Sequence, residues 1–368
     1  MDRRTFLKSS ASALTLLALP GFAQANAQSR SWLTGFGKAD GTFGAARIED
    51  DFSVTELLSS SLRLHDVLVH PTHTEICAPA RRPGDLLWIV DKNRGVYEVA
   101  APEGRHYCGH GAYAPDGGTL FVAENDYDNE RGVIGFYDAN NGYQRQGDIF
   151  SGGIGPHQLK VHPDGKHLVM ANGGILTHPD TGRAKLNLDT MQPNLSLIDM
   201  KTHKIVESVQ LPADIHHLSL RHIDVTPLGA VVFGVQDQQR PLGAQPMVGI
   251  WTPGRAPRLF ATPSGGWSIM NGYVGSIAVD QAGQTAAAAA PRGGVVVFWD
   301  IPTGEALGVY SAQDVCGVAR THRANGFLVT TGQGDMTQLR MTPKGLKVVK
   351  TASSKLQFDN HCCPNFAI

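Results

Sequence analysis

The chain has 368 residues, 32 Lys and Arg against 33 Asp and Glu, a formal net charge of -1, and 42 glycines. Charge this balanced, with no basic run beyond the N-terminus, excludes the phosphate-neutralising surface that nucleic-acid binding needs. Charged residues are only 18% of the chain; with so much glycine, this points to many short strands joined by tight turns.

The first predicted element is a leader. Arg3-Arg4 followed by Thr5-Phe6-Leu7-Lys8 resembles the twin-arginine export signal, with Asp2 where Ser or Thr is usual. The apolar stretch from Ala11 to Leu19 is too short to span a bilayer. Ala23, Ala25 and Ala27 then offer A-x-A cleavage sites. The reading is a signal peptide over residues 1–27 and a single domain over 30–368. The mature protein is expected to be periplasmic, without a membrane span. That export route carries folded proteins, often with a metal or cofactor already in place.

After the leader come three candidate strands, Trp32 to Gly37, Phe43 to Glu49 and Val54 to Leu58. No amphipathic helix longer than about three turns follows anywhere. Instead one unit recurs: a pivot residue, an alternating strand, a turn with Pro or Gly, and a second strand. It reads "LHDVLVHPTHTEICAPAR" from Leu64, "GHGAYAPDGGTLFVAEN" from Gly109, "PHQLKVHPDGKHLVMANGG" from Pro156 and "RHIDVTPLGAVVFGVQD" from Arg221. Degenerate copies begin at Gly275 and Cys316. The pivots His65, His110, His157, His222, Ser276, Gly317 and His361 are separated by 45, 47, 65, 54, 41 and 44 residues. Seven units of about 45 residues, each with room for four strands, predict an all-β, seven-bladed β-propeller. The tail from His361 supplies a first strand lacking its other three, and the N-terminal strands supply those three. Joined, they close the ring in one blade and remove two sheet edges. A sandwich or jelly roll would not produce seven like-phased units.

The first strand of each blade lines the channel, so equivalent pivots converge. Five of seven are histidine (His65, His110, His157, His222, His361), too many for chance when the chain has 15 in all. A single channel histidine is ordinarily a hydrogen-bonded polar residue; five at one phase point to shared function or inherited repeat identity. Imidazole is the commonest metal ligand and suits Fe, Cu, Zn or Ni. The expected cofactor is a transition metal, iron or copper rather than zinc, since five imidazoles exceed the four ligands of structural zinc. C-x-x-C and C-x-x-C-H are absent, which disfavours covalent c-type haem. No P-loop, dinucleotide fingerprint, H-E-x-x-H or G-x-S-x-G occurs, so no nucleotide is expected.

Asp224 and Asp359 each stand two residues from a pivot histidine, the spacing of a shared strand face. They are candidates to fix imidazole tautomers, or equally ordinary strand-end residues. Cys108, Cys316 and Cys362 lie near pivots and are candidate ligands or bridge formers; Cys362 and Cys363 must face opposite ways. His70, His73, His162 and His167 belong to the following turns and are left out of the site.

The longest interval contains an insertion at about 172–194. It should emerge on the histidine-bearing face, with His178, Arg183, Asn187 and Met191 as a lid or partner surface, or as a tolerated surface loop. Trp267 and Tyr273, just ahead of Ser276, are candidates for the same rim.

Together, "GHGAYAPDGG", "GGILTHPDTGRAKLNLDTMQPNLSLID", "NGYVGSIA" and "FDNH" resemble a bacterial family of twin-arginine-exported propellers that carry a domain of unknown function. The resemblance runs from about Trp32 to the end. Members are often encoded beside imelysin-type iron-uptake and di-haem peroxidase-like proteins. It therefore implies a periplasmic propeller with an iron connection, and partners among iron-uptake or redox proteins. It implies no established activity. This sequence departs from the family at Cys362 and Cys363, where an apolar residue usually follows the tail histidine.

The expected function is metal binding at the histidine ring, in iron or copper acquisition or handling, by a monomer. Binding is favoured over catalysis. The alternatives are an oxidoreductase or lactonase-like enzyme at the same mouth, or an interaction scaffold built on the insertion.

Overall fold

The computed structural model describes residues 30–182, 184–239 and 245–366. They form seven four-stranded antiparallel sheets arranged as the blades of a propeller. Blade 1 runs Gln357–Phe366, Arg30–Gly37, Phe43–Glu49, Val54–Ser60 from the channel outwards. The C-terminal strand is therefore the innermost of the first blade, pairing antiparallel with Arg30–Gly37, as the complementary termini imply. The inner strands of blades 2 to 7 are Leu68–Val69, Arg105–Tyr113, Pro156–Val161, Leu218–Val225, Ser276–Val279 and Val315–Arg320. The leader falls outside the described residues. Among the described residues, no helix is long and apolar enough to cross a membrane.

Period-two alternation explains how blades pack. In blade 6 the strand Thr285–Ala290, "TAAAAA", is buried throughout. Ala286, Ala288 and Ala290 join the apolar cluster shared with blade 5, while Ala287 and Ala289 join the one shared with blade 7. Alanine has no intrinsic strand preference. Here the side chain is small enough for two flanking blades to close on both faces. Outer strands alternate instead: Ile205–Gln210 is exposed at every second position. Side chains also stitch neighbouring blades at their hairpin turns. His70 Nε2 donates to the Gly117 carbonyl at 3.0 Å, and His162 Nε2 to Gly229 at 3.2 Å.

The inner strands are not regular where the pivots lie. Pairing with the second strand shifts register between Tyr107 and Gly111, Pro156 and Leu159, Leu220 and His222, and Val315 and Val318. In blade 1 the shift falls opposite Phe358 to Cys362. In blade 2 the five residues Leu64 to Leu68 face four, Ala80 to Cys77. Blade 6, whose pivot is Ser276, pairs in regular register. A β-bulge bends a strand and re-aims a side chain. The five histidine-bearing inner strands each carry one at the histidine, and it turns the ring inward.

Candidate metal centre

The bulges bring five imidazoles together. His65 lies 4.7 Å from His110 and 4.6 Å from His361 between ring centroids; His110 lies 4.6 Å from His361 and 4.9 Å from His157. His222 completes the cluster at 4.8 Å from His157 and 5.0 Å from His361. Within the cluster, two groups could hold a metal ion: His65, His110 and His361, and His110, His157 and His222. In each the ligand atoms lie within 4.8 Å of one another. A metal at about 2.1 Å from each nitrogen would need them closer than this. His110 belongs to both groups.

Gly109 makes this closeness available. Its φ is +92°, and a Cβ there would sit 2.7 Å from His65 Cβ. Only glycine fits a left-handed bulge position pressed against a neighbouring ring.

Protonation and charge follow from what stands behind the rings. His110 Nδ1 donates to Asp66 Oδ2 at 2.9 Å. Asp66 Oδ1 accepts from Val67 N–H and from Cys363 Sγ, both at 2.9 Å. Burial would raise the Asp66 carboxyl, but the hydrogen bond from His110, with the Lys160 ammonium nearby, holds it well below the usual range. The proton is therefore on His110 Nδ1, and Nε2 faces the cluster with its lone pair. Asp359 Oδ1 stands 3.5 Å from His65 Nδ1, too poorly aligned for a hydrogen bond, and its Oδ2 accepts from Arg63 Nε at 2.5 Å. Burial pushes His110 down to about 4, and burial with the repulsion of neighbouring rings holds His157, His222 and His361 well below the ordinary imidazole value. These four rings are neutral at pH 7, the state that binds metal. The ring nitrogens His110 Nε2, His157 Nε2, His361 Nε2 and both nitrogens of His222 are buried without a protein hydrogen-bond partner.

A cavity of about 470 Å³ opens onto the cluster, with His65, His157 and His222 in its lining. Its walls include Arg81, Arg82, Lys185, Arg221 and Arg292, with Asp237 as the carboxylate. Arg221 is buried; its Nε donates to Ser219 Oγ at 3.0 Å and its Nη1 approaches His157 Nδ1 at 3.5 Å. Burial and the nearby Arg82 charge pull its guanidinium down to about 10.

Residues 59–364 match the family described as "Protein of unknown function (DUF1513)". The chain belongs to this family. No curated protein matches it in sequence. Among solved structures it is similar to a chain of Kuenenia stuttgartiensis hydrazine synthase, with a TM-score of 0.60 and 15% identity over 91% of this chain and 100% of that one. A chain of the mitotic checkpoint complex scores 0.59 at 12% identity, covering 95% and 90% respectively. U3-55K scores 0.59 at 13% identity, covering 81% and 84%. At such identities the likeness shows the propeller fold alone.

Several expected roles are corrected by the contacts. Asp224 touches no imidazole: its oxygens accept from Val225 N–H at 3.0 Å and Val279 N–H at 2.8 Å, tying blade 5 to blade 6. Asp359 serves His65 of the next blade, not His361 two residues away. The five cysteines are all free, so no bridge joins neighbouring blades. Neither histidine group includes a thiol. Cys316 donates to the Asp314 carbonyl at 3.0 Å, and Cys362 packs among Ala319, Leu328 and Phe358. Burial raises both thiols and pushes Cys108 up to about 12, so none is a ready thiolate. The thiol nearest the cluster's supports is Cys363, which alternation places on the His361 side of the strand.

The insertion does reach the histidine face: Thr177, His178 and Lys185 line the cavity, as does Tyr273, with Arg292 4.5 Å over its ring. Asn187 is instead a clasp within the insertion, bonding Leu176 N–H and the Gly174 carbonyl. Met191 is buried, and Trp267 stacks on Trp299 in the blade core, so neither is a rim residue. Arg183 lies outside the described residues. Sequence reading missed Arg82, Arg221 and Arg292, which come from three blades and share no spacing. Arg221 adjoins His222 and could have been flagged on that ground.

Proposed function

We propose that this propeller binds a transition metal at the histidine cluster, in iron or copper handling in the periplasm. The observation that carries this reading is the set of neutral, buried ring nitrogens that face one another without protein partners. Buried polar atoms are ordinarily satisfied, and each one left bare costs about 1–3 kcal/mol. A metal ion bound here would be held by one unprotonated nitrogen from each ring. The ionised Asp66 behind His110 orients the ring and offsets part of a dication's charge, as outer carboxylates do in metal sites.

Imidazole donors suit iron and copper, and neutral ligands suit the lower oxidation states. The expected role is acquisition or delivery. It draws on the leader's resemblance to a twin-arginine signal and on the family's association with iron-uptake proteins.

The test is metal analysis of protein purified from the periplasm, followed by anaerobic titration with Fe(II), Cu(I), Cu(II) and Zn(II). About one ion per chain is expected, with iron or copper preferred. His110→Ala should reduce affinity more than His65→Ala or His222→Ala, because His110 serves both groups. Folded protein that neither carries nor takes up these metals would overturn the proposal.

A further inference from the structure

We infer that the cavity beside the histidine cluster binds a small polycarboxylate, held by Arg82, Arg221 and Arg292 against a floor that includes His157 and His222. The chain as a whole is balanced, 32 cationic residues against 33 anionic. The cavity is not: Arg82, Arg221 and Arg292 line it together, with Asp237 as its one carboxylate. Arg82, Arg221 and Arg292 enter no ion pair among the described residues. Arg82 has a long contact to Thr177 Oγ1 at 3.5 Å, and Arg292 lies over the Tyr273 ring. Arg221 is only 8% exposed, and its described hydrogen bonds are to neutral groups. A guanidinium buried without an anion is costly, and a bound oxyanion supplies the missing charge with matched, bidentate geometry.

The three arginines stand on different blades. Arg221 is on the inner strand of blade 5, Arg292 follows the second strand of blade 6, and Arg82 follows the second strand of blade 2. Cations spread around a wall suit an anion with several separated carboxylates better than one compact phosphate. The volume, about 470 Å³, fits a small organic molecule. His65, His157 and His222 belong to both the cavity lining and the cluster, so a carboxylate seated here would lie beside the rings that would hold the ion. That last step rests on the metal reading; the anion site does not.

The experiment is isothermal titration of the folded, metal-free full-length mature protein with citrate, tricarballylate, inorganic phosphate and acetate at fixed ionic strength. Citrate and tricarballylate should bind at least tenfold more tightly than acetate or phosphate, and more weakly as salt rises. Arg82→Gln and Arg292→Gln should each weaken tricarballylate at least fivefold while leaving titration with metal alone unchanged. No binding of either polycarboxylate at millimolar concentration overturns the inference, as does binding that both variants leave intact. Phosphate binding more tightly than the polycarboxylates overturns the carboxylate assignment. Tricarballylate binding by protein that takes up no metal upholds the anion site while refuting the metal reading. Metal uptake without polycarboxylate binding does the reverse.

Discussion

Asp66→Asn isolates the carboxylate's part in preparing His110. The two side chains are nearly isosteric, and the surroundings dictate how the amide must sit. Val67 N–H and Cys363 Sγ both donate to Oδ1, so that position must remain an oxygen. The amide nitrogen then faces His110 Nδ1, 2.9 Å from Oδ2 in the native pair. His110 can only accept there, so its proton moves to Nε2, the atom that faces the other rings. Restoring the ligating tautomer sets N–H against N–H and strands two buried donors, at a cost of about 1–3 kcal/mol. That is roughly 5- to 150-fold in metal affinity, which brackets the roughly 10- to 100-fold loss typical when partners of metal-bound histidines are removed. Competition against a chromophoric chelator measures it, with thermal unfolding of the metal-free variant as the check on folding. Asp224→Asn is the control. Its carboxylate bonds two backbone N–H groups and no imidazole, so it should lower stability and leave metal affinity unchanged. A folded Asp66→Asn variant that binds metal within twofold of the native protein would refute the tautomer argument.

Three further outcomes follow from the same contacts. Gly109→Ala should lower both Tm and metal affinity, because the added methyl meets His65 at 2.7 Å; Gly41→Ala, at φ +85° but in open space, should show the backbone cost alone. Equal losses at the two sites would sink this reading of Gly109. Acid should destabilise the metal-free protein in a defined window. His106 and His110, whose pKa values fall to about 4 in the folded state, are protonated first in the unfolded chain as pH drops below about 6.5, so stability is full above that value and falls towards pH 4. Each contributes a loss of roughly 2 kcal/mol between pH 6.5 and 5, and denaturant midpoints that stay flat across that interval would contradict it. Ending the chain before Gln357 removes the inner strand of blade 1 and exposes both Arg30–Gly37 and the flank of blade 7. Aggregation or loss of cooperative unfolding is expected, and a soluble variant with native Tm would show that closure is dispensable.

The sequence by itself determined the period, the blade count, the closing strand and the phase of the pivots. These are local quantities: alternation, turn residues and spacing repeat within each unit of about 45 residues and can be read without knowing what lies opposite. Which groups meet across the ring was decided only by tertiary structure. Asp359 looks like a partner for His361 because they share a strand face, yet it serves His65, while Asp66 serves His110; each support is handed to the next blade. The bulges cause this, since one extra residue re-aims the pivot and breaks the i, i+2 rule on which the strand argument relied. Alternation held for the thiols, with Cys362 packed in a blade and Cys363 facing the Asp66 carboxylate, but nearness to the pivot singled out the wrong one as a candidate ligand. Apart from Arg221 beside His222, the cationic cavity had no signature in the sequence. Its arginines come from separate blades, and only closure of the ring brings Arg82, Arg221 and Arg292 around one space.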